Sequence, residues 1–305
     1  MHELARNRWR KEFGLNIGFI TNSLVQVGVS DLRSIADWAY RNRFDTIGIG
    51  PTLELDCAEL DAISQDNKVQ ISDLMYCRNF LLENEAEYHM RELLKRIDIA
   101  SRYCIPRVVT TTGIDRGIDM GETFDFHDAI RKRPIRSLDA VTRVLETFLN
   151  YAEHKNVDIA LELCPAMGNI AISPYLLQLL FERLPSKRLG IVFDPSHLVW
   201  QMIDPYDFIF EFADRIMLVH GKDTEILYNE LKRKGILSDF SWWRYRIPGL
   251  GEINWKKIIS NLQEAGYKGT ISIEHEDPVW EGSEEKVKAG LLIGQKTLLS
   301  SMFLK

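Results

Sequence analysis

The chain has 305 residues, 45% of them apolar, and its 44 acidic against 38 basic side chains leave a net charge of −6. That is material for one large domain or two small ones, and the acidic balance argues against a protein that grips a phosphate backbone. No apolar run is long enough to span a membrane. The charged opening MHELARNRWRKEFG lacks the apolar stretch of a secretory signal. The scattered cysteines Cys57, Cys77, Cys104 and Cys164 form no C-x-x-C pair. The expectation is a soluble, cytoplasmic, globular enzyme with reduced thiols.

Short runs rich in β-branched residues alternate with longer amphipathic stretches, the order of parallel strands joined by helical crossovers. Leu15 to Thr21 is the first strand, followed by a helix with Ser30 as its N-cap. Thr46–Gly50 and Val69–Met75 are the second and third strands. A helix over about 85–103 leads to the fourth, Arg107–Thr112. A polar stretch, 113–135, carries Arg116, Arg131, Lys132 and Arg133 and reads as a solvated loop or a lid. Ser137 then opens a helix to about His154. Val157–Leu163 is the fifth strand, and Ser173 with Pro174 starts the next helix. Leu189–Phe193 is the sixth strand, Asp204-Pro205 a further helix start, and Arg215–Val219 the seventh strand. The helix Trp255–Ala265, closed by Gly266, precedes the eighth strand, Thr270–Ile273. Eight strand–helix units without a linker or composition shift predict one α/β domain over 1–305, a (β/α)8 barrel, with a long strand-seven loop at about 223–252. A doubly wound sheet would carry a Gly-rich fingerprint after the first strand, and none is present.

In such a barrel the active site lies at the carboxyl ends of the strands. The fifth strand ends at Glu162. The sixth ends at Asp194, with His197 three residues on. The seventh ends at His220, with Lys222 and Asp223 beyond. The eighth ends at Glu274, with His275, Glu276 and Asp277 following. Four consecutive strands thus each end in a side chain able to ligate a metal. Charged groups there are costly unless paired or metal-bound. Three carboxylates and an imidazole suit one divalent ion, Mn²⁺ first, with Mg²⁺, Co²⁺ or Zn²⁺ as alternatives. Glu276 returns to the face of Glu274, so the strand-eight ligand stays open between the two. His275 points to the helical layer. Cys164 is a wall residue, and His89, His127 and His154 read as solvated.

The segments LELCP, FDPSHLVWQ, LVHGKD, RYRIPGLGEINW and GTISIEHEDP resemble the xylose isomerase-like barrel superfamily, in its sugar phosphate isomerase/epimerase branch. The resemblance implies a single divalent ion held by Glu162, Asp194, His220 and Glu274. It gives His197 a role toward substrate or metal shell, and makes Glu162 and Glu274 the acid/base pair. The superfamily also holds endonucleases of abasic DNA. Their extra metal ligands have no counterpart here, where Thr110–Thr112 and the residues Trp243 and Tyr245 stand in those places.

The implied chemistry is isomerisation or epimerisation of a carbohydrate. One carboxylate removes the proton beside a carbonyl and a second returns one, through an enediolate that a Lewis acid stabilises. The alternative is elimination, as in the larger subunit of enzymes that cleave 3-oxo-glycosides, with a small partner subunit. An alternative of another class is a non-catalytic sugar-binding barrel. In the strand-seven loop the stretch TEILYNELKRKG reads as helical. Trp242, Trp243 and Tyr245 offer flat faces for a sugar ring, or a rim or oligomer contact. Lys222, Arg244 and Arg246 offer donors to hydroxyls or an anion. Exposed tryptophans there fit a homo-oligomer or a hetero-complex; neither nucleic acid nor a membrane is an expected partner.

Overall fold

The structure is a computed structural model, and it describes residues 14–66, 68–82, 84–115, 126–165, 168–236 and 238–303. The strands are β1 (Asn16–Ile20), β2 (Thr46–Ile49), β3 (Gln70–Tyr76), β4 (Arg107–Thr110), β5 (Asp158–Glu162), β6 (Leu189–Phe193), β7 (Ile216–Gly221), β8 (Asp223–Ile226), β9 (Trp243–Arg246) and β10 (Thr270–Ile273). Eight of them close into a barrel in the order β1-β10-β7-β6-β5-β4-β3-β2, while β8 and β9 form a separate two-stranded sheet. This is the (β/α)8 architecture that the alternation of strand and helix predicts. No described helix is long and apolar enough to cross a membrane.

The chain divides into two compact units: the chain up to Ser72 together with Phe193 onward, and Asp73–Val192. In the first, β1 pairs in parallel with both β10 and β2, setting Phe19 beside Ile273 and Ile47, and β10 pairs with β7, setting Ile271 beside Val219. All of these side chains are buried, as expected of strands covered on both faces. The Phe19 ring meets Phe44 edge-on at 4.8 Å and Trp38 at 5.5 Å. In the second unit, β4 pairs with β3 and β5, and β5 with β6, so that Glu162 stands opposite Val192. Phe80 packs edge-on against Phe148 at 5.0 Å.

Local chemistry fixes the helix ends and corrects three expectations. Asp31, not Ser30, caps the helix Leu32–Arg41: its extended backbone lets Oδ1 accept from the Ser34 amide at 2.6 Å. A cap must reach the amide two or three residues ahead, and Ser30 is one residue too early. Ser173 and Asp204 do cap the helices that follow them, as expected. The helix expected to open at Ser137 runs Phe126–Lys155 with Pro134 inside it. The Ser137 hydroxyl donates back to the Arg133 carbonyl at 2.8 Å, the bond of a mid-helix serine rather than a cap. Of the suggested lid, residues 116–125 lie outside the described ones. In the strand-seven insert, Asp223–Ile226 is strand and only Tyr228–Lys234 is helix, because Asp223–Ile226 pairs antiparallel with Trp243–Arg246.

Asp223 pins this insert. Its Oδ1 accepts from the Thr224 and Ile253 amides, and its Oδ2 from the Gly249 amide and the Trp255 indole, all at 2.8–3.0 Å. A Cβ on Gly251 would lie 2.3 Å from Asp223 Oδ1, so the turn GLGEI admits only glycine there. A second pin is ionic: Arg246 Nε donates to Asp277 at 2.8 Å, and its guanidinium also pairs with Glu225, as does that of Arg244.

Candidate metal centre

Strand periodicity decides which side chains face inward. On β7 and just beyond it, His220 and Lys222 share one face. Gly221 between them faces the helix Glu284–Phe303, where a Cβ would meet Leu298 at 3.3 Å. After β10, Glu274 and Glu276 share a face while His275 turns outward. A Cβ on Gly290 would lie 2.6 Å from His275 Nε2, so that imidazole packs on the helical layer, as expected. Burial holds the His275 ring below the usual imidazole value.

The inward groups converge. Asp194, His197, His220, Lys222 and Glu274 are all buried, whereas the Glu276 side chain is half-exposed. The centre of the group is the Lys222 ammonium. It donates to Glu274 Oε2 at 2.7 Å, to Glu276 Oε2 at 3.0 Å and to His197 Nε2 at 3.3 Å. Asp194 Oδ2 lies 3.2 Å away as an ion pair. His220 Nδ1 approaches the same Glu274 oxygen at 3.2 Å. The Lys222 ammonium also sits over the Tyr245 ring at 4.4 Å.

An ammonium has no lone pair to accept with, so His197 Nε2 is the acceptor in its bond to Lys222. In that arrangement the ring proton is on Nδ1, which donates to the Tyr245 hydroxyl oxygen at 2.9 Å, while Nε2 also lies 3.4 Å from Asp194 Oδ2. Tyr245, on β9, therefore fixes the tautomer of a histidine at the heart of the cluster. From the residue pattern it reads only as a flat face. The signal available was its spacing, Tyr245 alternating with Trp243 on one strand face.

The charges do not balance. With the histidines counted as neutral, Asp194, Glu274 and Glu276 are three carboxylates around one ammonium, a formal excess of two negative charges. Burial alone would drive the Lys222 amine down, but Asp194, Glu274 and Glu276 outweigh it and hold it well above its usual value. Burial likewise raises Glu274, and the attraction of Lys222 and His220 reverses this and holds it well below the carboxylate range. Asp194 stays above its usual value, chiefly through burial. Its Oδ2 is buried and lies 3.2 Å from the Lys222 ammonium and 3.4 Å from His197 Nε2. An excess of carboxylates over cationic groups, and His220 and Glu274 atoms within 4.8 Å of each other, suit a divalent cation. Glu274 rather than Glu276 stands beside His220, which favours it as the strand-eight ligand.

Glu162 ends β5, buried, with Oε1 accepting from the Leu163 amide at 2.8 Å. Asn169 donates to its backbone carbonyl at 2.6 Å and holds the strand end in place.

Other expected site residues stand apart from this centre or are already engaged. The Arg246 guanidinium is taken up by Asp277 and Glu225. Trp242 is buried, 2% exposed, and offers no surface. Trp243 is half-buried: Trp200 stacks on it at 4.7 Å and 2°, and Tyr245 meets it at 4.7 Å and 63°. Its ring is thus part of a ladder, Phe240–Trp200–Trp243–Tyr245–His197, ending at the centre. His89 is not solvated: it is buried, with Nδ1 2.8 Å from the Tyr76 hydroxyl and Nε2 3.2 Å from Glu85.

The chain belongs to the xylose isomerase-like TIM barrel family, which matches residues 37–296. It is similar to the inosose dehydratase of Lacticaseibacillus casei, 34% identical over 95 residues that make up 30% of this chain and 32% of that protein. The chain thus matches about a third of that curated relative's length. In fold it is similar to a D-psicose 3-epimerase with D-tagatose from Clostridium cellulolyticum H10, at TM-score 0.67 and 14% identity over 94% of this chain and 99% of that one. It is also similar to the IolI protein with a bound zinc atom, at TM-score 0.67 and 16% identity over 94% and 98%.

Proposed function

We propose that this protein is a divalent-metal-dependent enzyme that removes the proton beside a carbonyl in a sugar or related polyol. The observation that carries this reading is the acidic centre at the strand ends, where the three carboxylates Asp194, Glu274 and Glu276 gather around one ammonium. The ligands are Asp194, His220 and Glu274, joined by Glu162. Glu162 stands opposite Val192 on the neighbouring strand, two residues before Asp194. The zinc carried by the IolI neighbour supports an ion of this class, with Mn²⁺ our first choice.

When bound, the ion supplies Lewis acidity that lowers the cost of negative charge on the enediolate oxygen. The chain's own residues do the rest. Glu162 takes the proton on one face of the substrate, and Glu274 returns one on the other. Return to the opposite face of the same carbon epimerises; return to the neighbouring carbon isomerises. His197, held by Tyr245 in one tautomer, turns an unprotonated Nε2 toward the centre as a hydrogen-bond acceptor. Lys222 carries an ammonium charge at the centre of this cluster.

A second reading is elimination of water β to the carbonyl, favoured by the stretch of sequence shared with the inosose dehydratase. The same first proton transfer serves both. Incubation with ketoses, aldoses, keto-cyclitols and 3-oxo-glycosides in the presence of Mn²⁺, followed by product NMR, separates them. A stereo- or constitutional isomer is the expected product. An unsaturated product would move the assignment to elimination, and no turnover of any member would overturn the reading.

A further inference from the structure

The Lys222 ammonium stands where a bound cation would be needed. Its side chain is fully buried, and its three protons go to Glu274, Glu276 and His197, with Asp194 as an additional ion-pair partner. Two of those partners, Glu274 and Asp194, belong to the ligand set proposed above, and Glu274 presents one oxygen both to Lys222 and to His220. Glu276 is different. It stands outside that set, its side chain is 48% exposed, and it already receives one of the ammonium's protons. We propose that Lys222 is a tethered counter-cation: it holds the acidic centre together in the ion-free protein, and moves toward Glu276 when a divalent ion takes up Glu274 and Asp194. This rests on the ion-dependent reading and adds to it a residue that sets ion affinity.

An ammonium and a divalent ion sharing the same carboxylates repel at short range in a region with little water to screen them. The lysine therefore lowers ion affinity while sparing the empty site the penalty of crowded bare carboxylates. Glu276, which gives the ammonium somewhere to go, raises ion affinity through Lys222.

The test is titration calorimetry with MnCl₂ after removal of bound ions, on the wild type, Lys222→Met, Glu276→Gln and the double variant. Thermal unfolding in chelator is followed alongside. Lys222→Met is expected to bind Mn²⁺ at least about tenfold more tightly and to melt lower in chelator. Glu276→Gln is expected to weaken binding by about threefold or more in the wild-type background, and by clearly less in the Lys222→Met background. If the methionine variant does not fold without the ion, Lys222→Gln, which keeps a donor in the buried space, takes its place. Mn²⁺ binding that Lys222→Met leaves unchanged or weakens would overturn the inference alone. So would an equal effect of Glu276→Gln in both backgrounds, which would mean a direct charge effect rather than one passed through the lysine. Absence of Mn²⁺ binding in all four proteins would overturn the inference together with the ion-dependent reading.

Discussion

At the scale of single residues, a few side chains at the centre have separable roles. Tyr245→Phe removes the oxygen that accepts from His197 Nδ1 and leaves the ring under Lys222 in place. The imidazole is then free to change tautomer. We expect turnover to fall about tenfold, on the scale of one lost hydrogen bond to a site group, with the melting temperature little changed; unchanged turnover would remove Tyr245 from the site. Glu162→Gln should abolish turnover while the protein still binds an ion, measured by calorimetry. The strand-end residues were legible in the sequence because alternation along a strand is strict: once a strand is placed, so is its last inward side chain. The centring of Lys222 on three carboxylates was not legible, since it depends on contacts 28 to 54 residues apart in the chain. Nor was the loss of Arg246 to Asp277 and Glu225, which needs the insert's fold.

At the scale of elements, the strand-seven insert is held by Asp223 and by the Arg246–Asp277 pair. Asp223→Ala strips acceptors from three amides and an indole in a buried place. At about 1–3 kcal/mol for each buried donor left unmet, partly relieved by relaxation, a loss of at least about 3 kcal/mol in denaturant unfolding is expected. The helix Leu32–Arg41 offers a milder case. Asp31→Ala should cost about 1 kcal/mol, the worth of an N-cap. The hydrogen bonds from Ser34 hold the Asp31 carboxyl below its usual value of 3.8. Its contribution is therefore complete above that value and disappears as pH falls through the lower, folded-state value. The wild type and Asp31→Ala should thus converge in stability at strongly acid pH and differ at neutral pH. The missed helix start at Ser137 has a definite cause. The polar stretch 113–135 reads as a loop, yet the helix begins within it at Phe126 and carries Pro134 inside it. The two strands of the insert, DTEI and WRYR, were not legible because neither carries the apolar β-branched run that marks the barrel strands.

At the scale of the whole molecule, eight repeated strand–helix units and the family match over residues 37–296 agree. The acidic balance of −6 is partly local, since with histidines neutral the cluster around Lys222 contributes a formal −2. A ligand that binds only the folded state stabilises it by about 2.7 kcal/mol at one hundred times its dissociation constant. Added Mn²⁺ should therefore raise the melting temperature by several degrees, and a chelator should reverse the change. The most direct measurement of the central claim is exchange of solvent deuterium into the carbon beside the carbonyl, followed by NMR across the panel of ketoses, aldoses, keto-cyclitols and 3-oxo-glycosides. The proposed mechanism predicts exchange in at least one of them by the Mn²⁺-loaded wild type, and none by Glu162→Gln or by wild type in chelator. Exchange that persists in Glu162→Gln, or no exchange in any substrate by the loaded wild type, would contradict it.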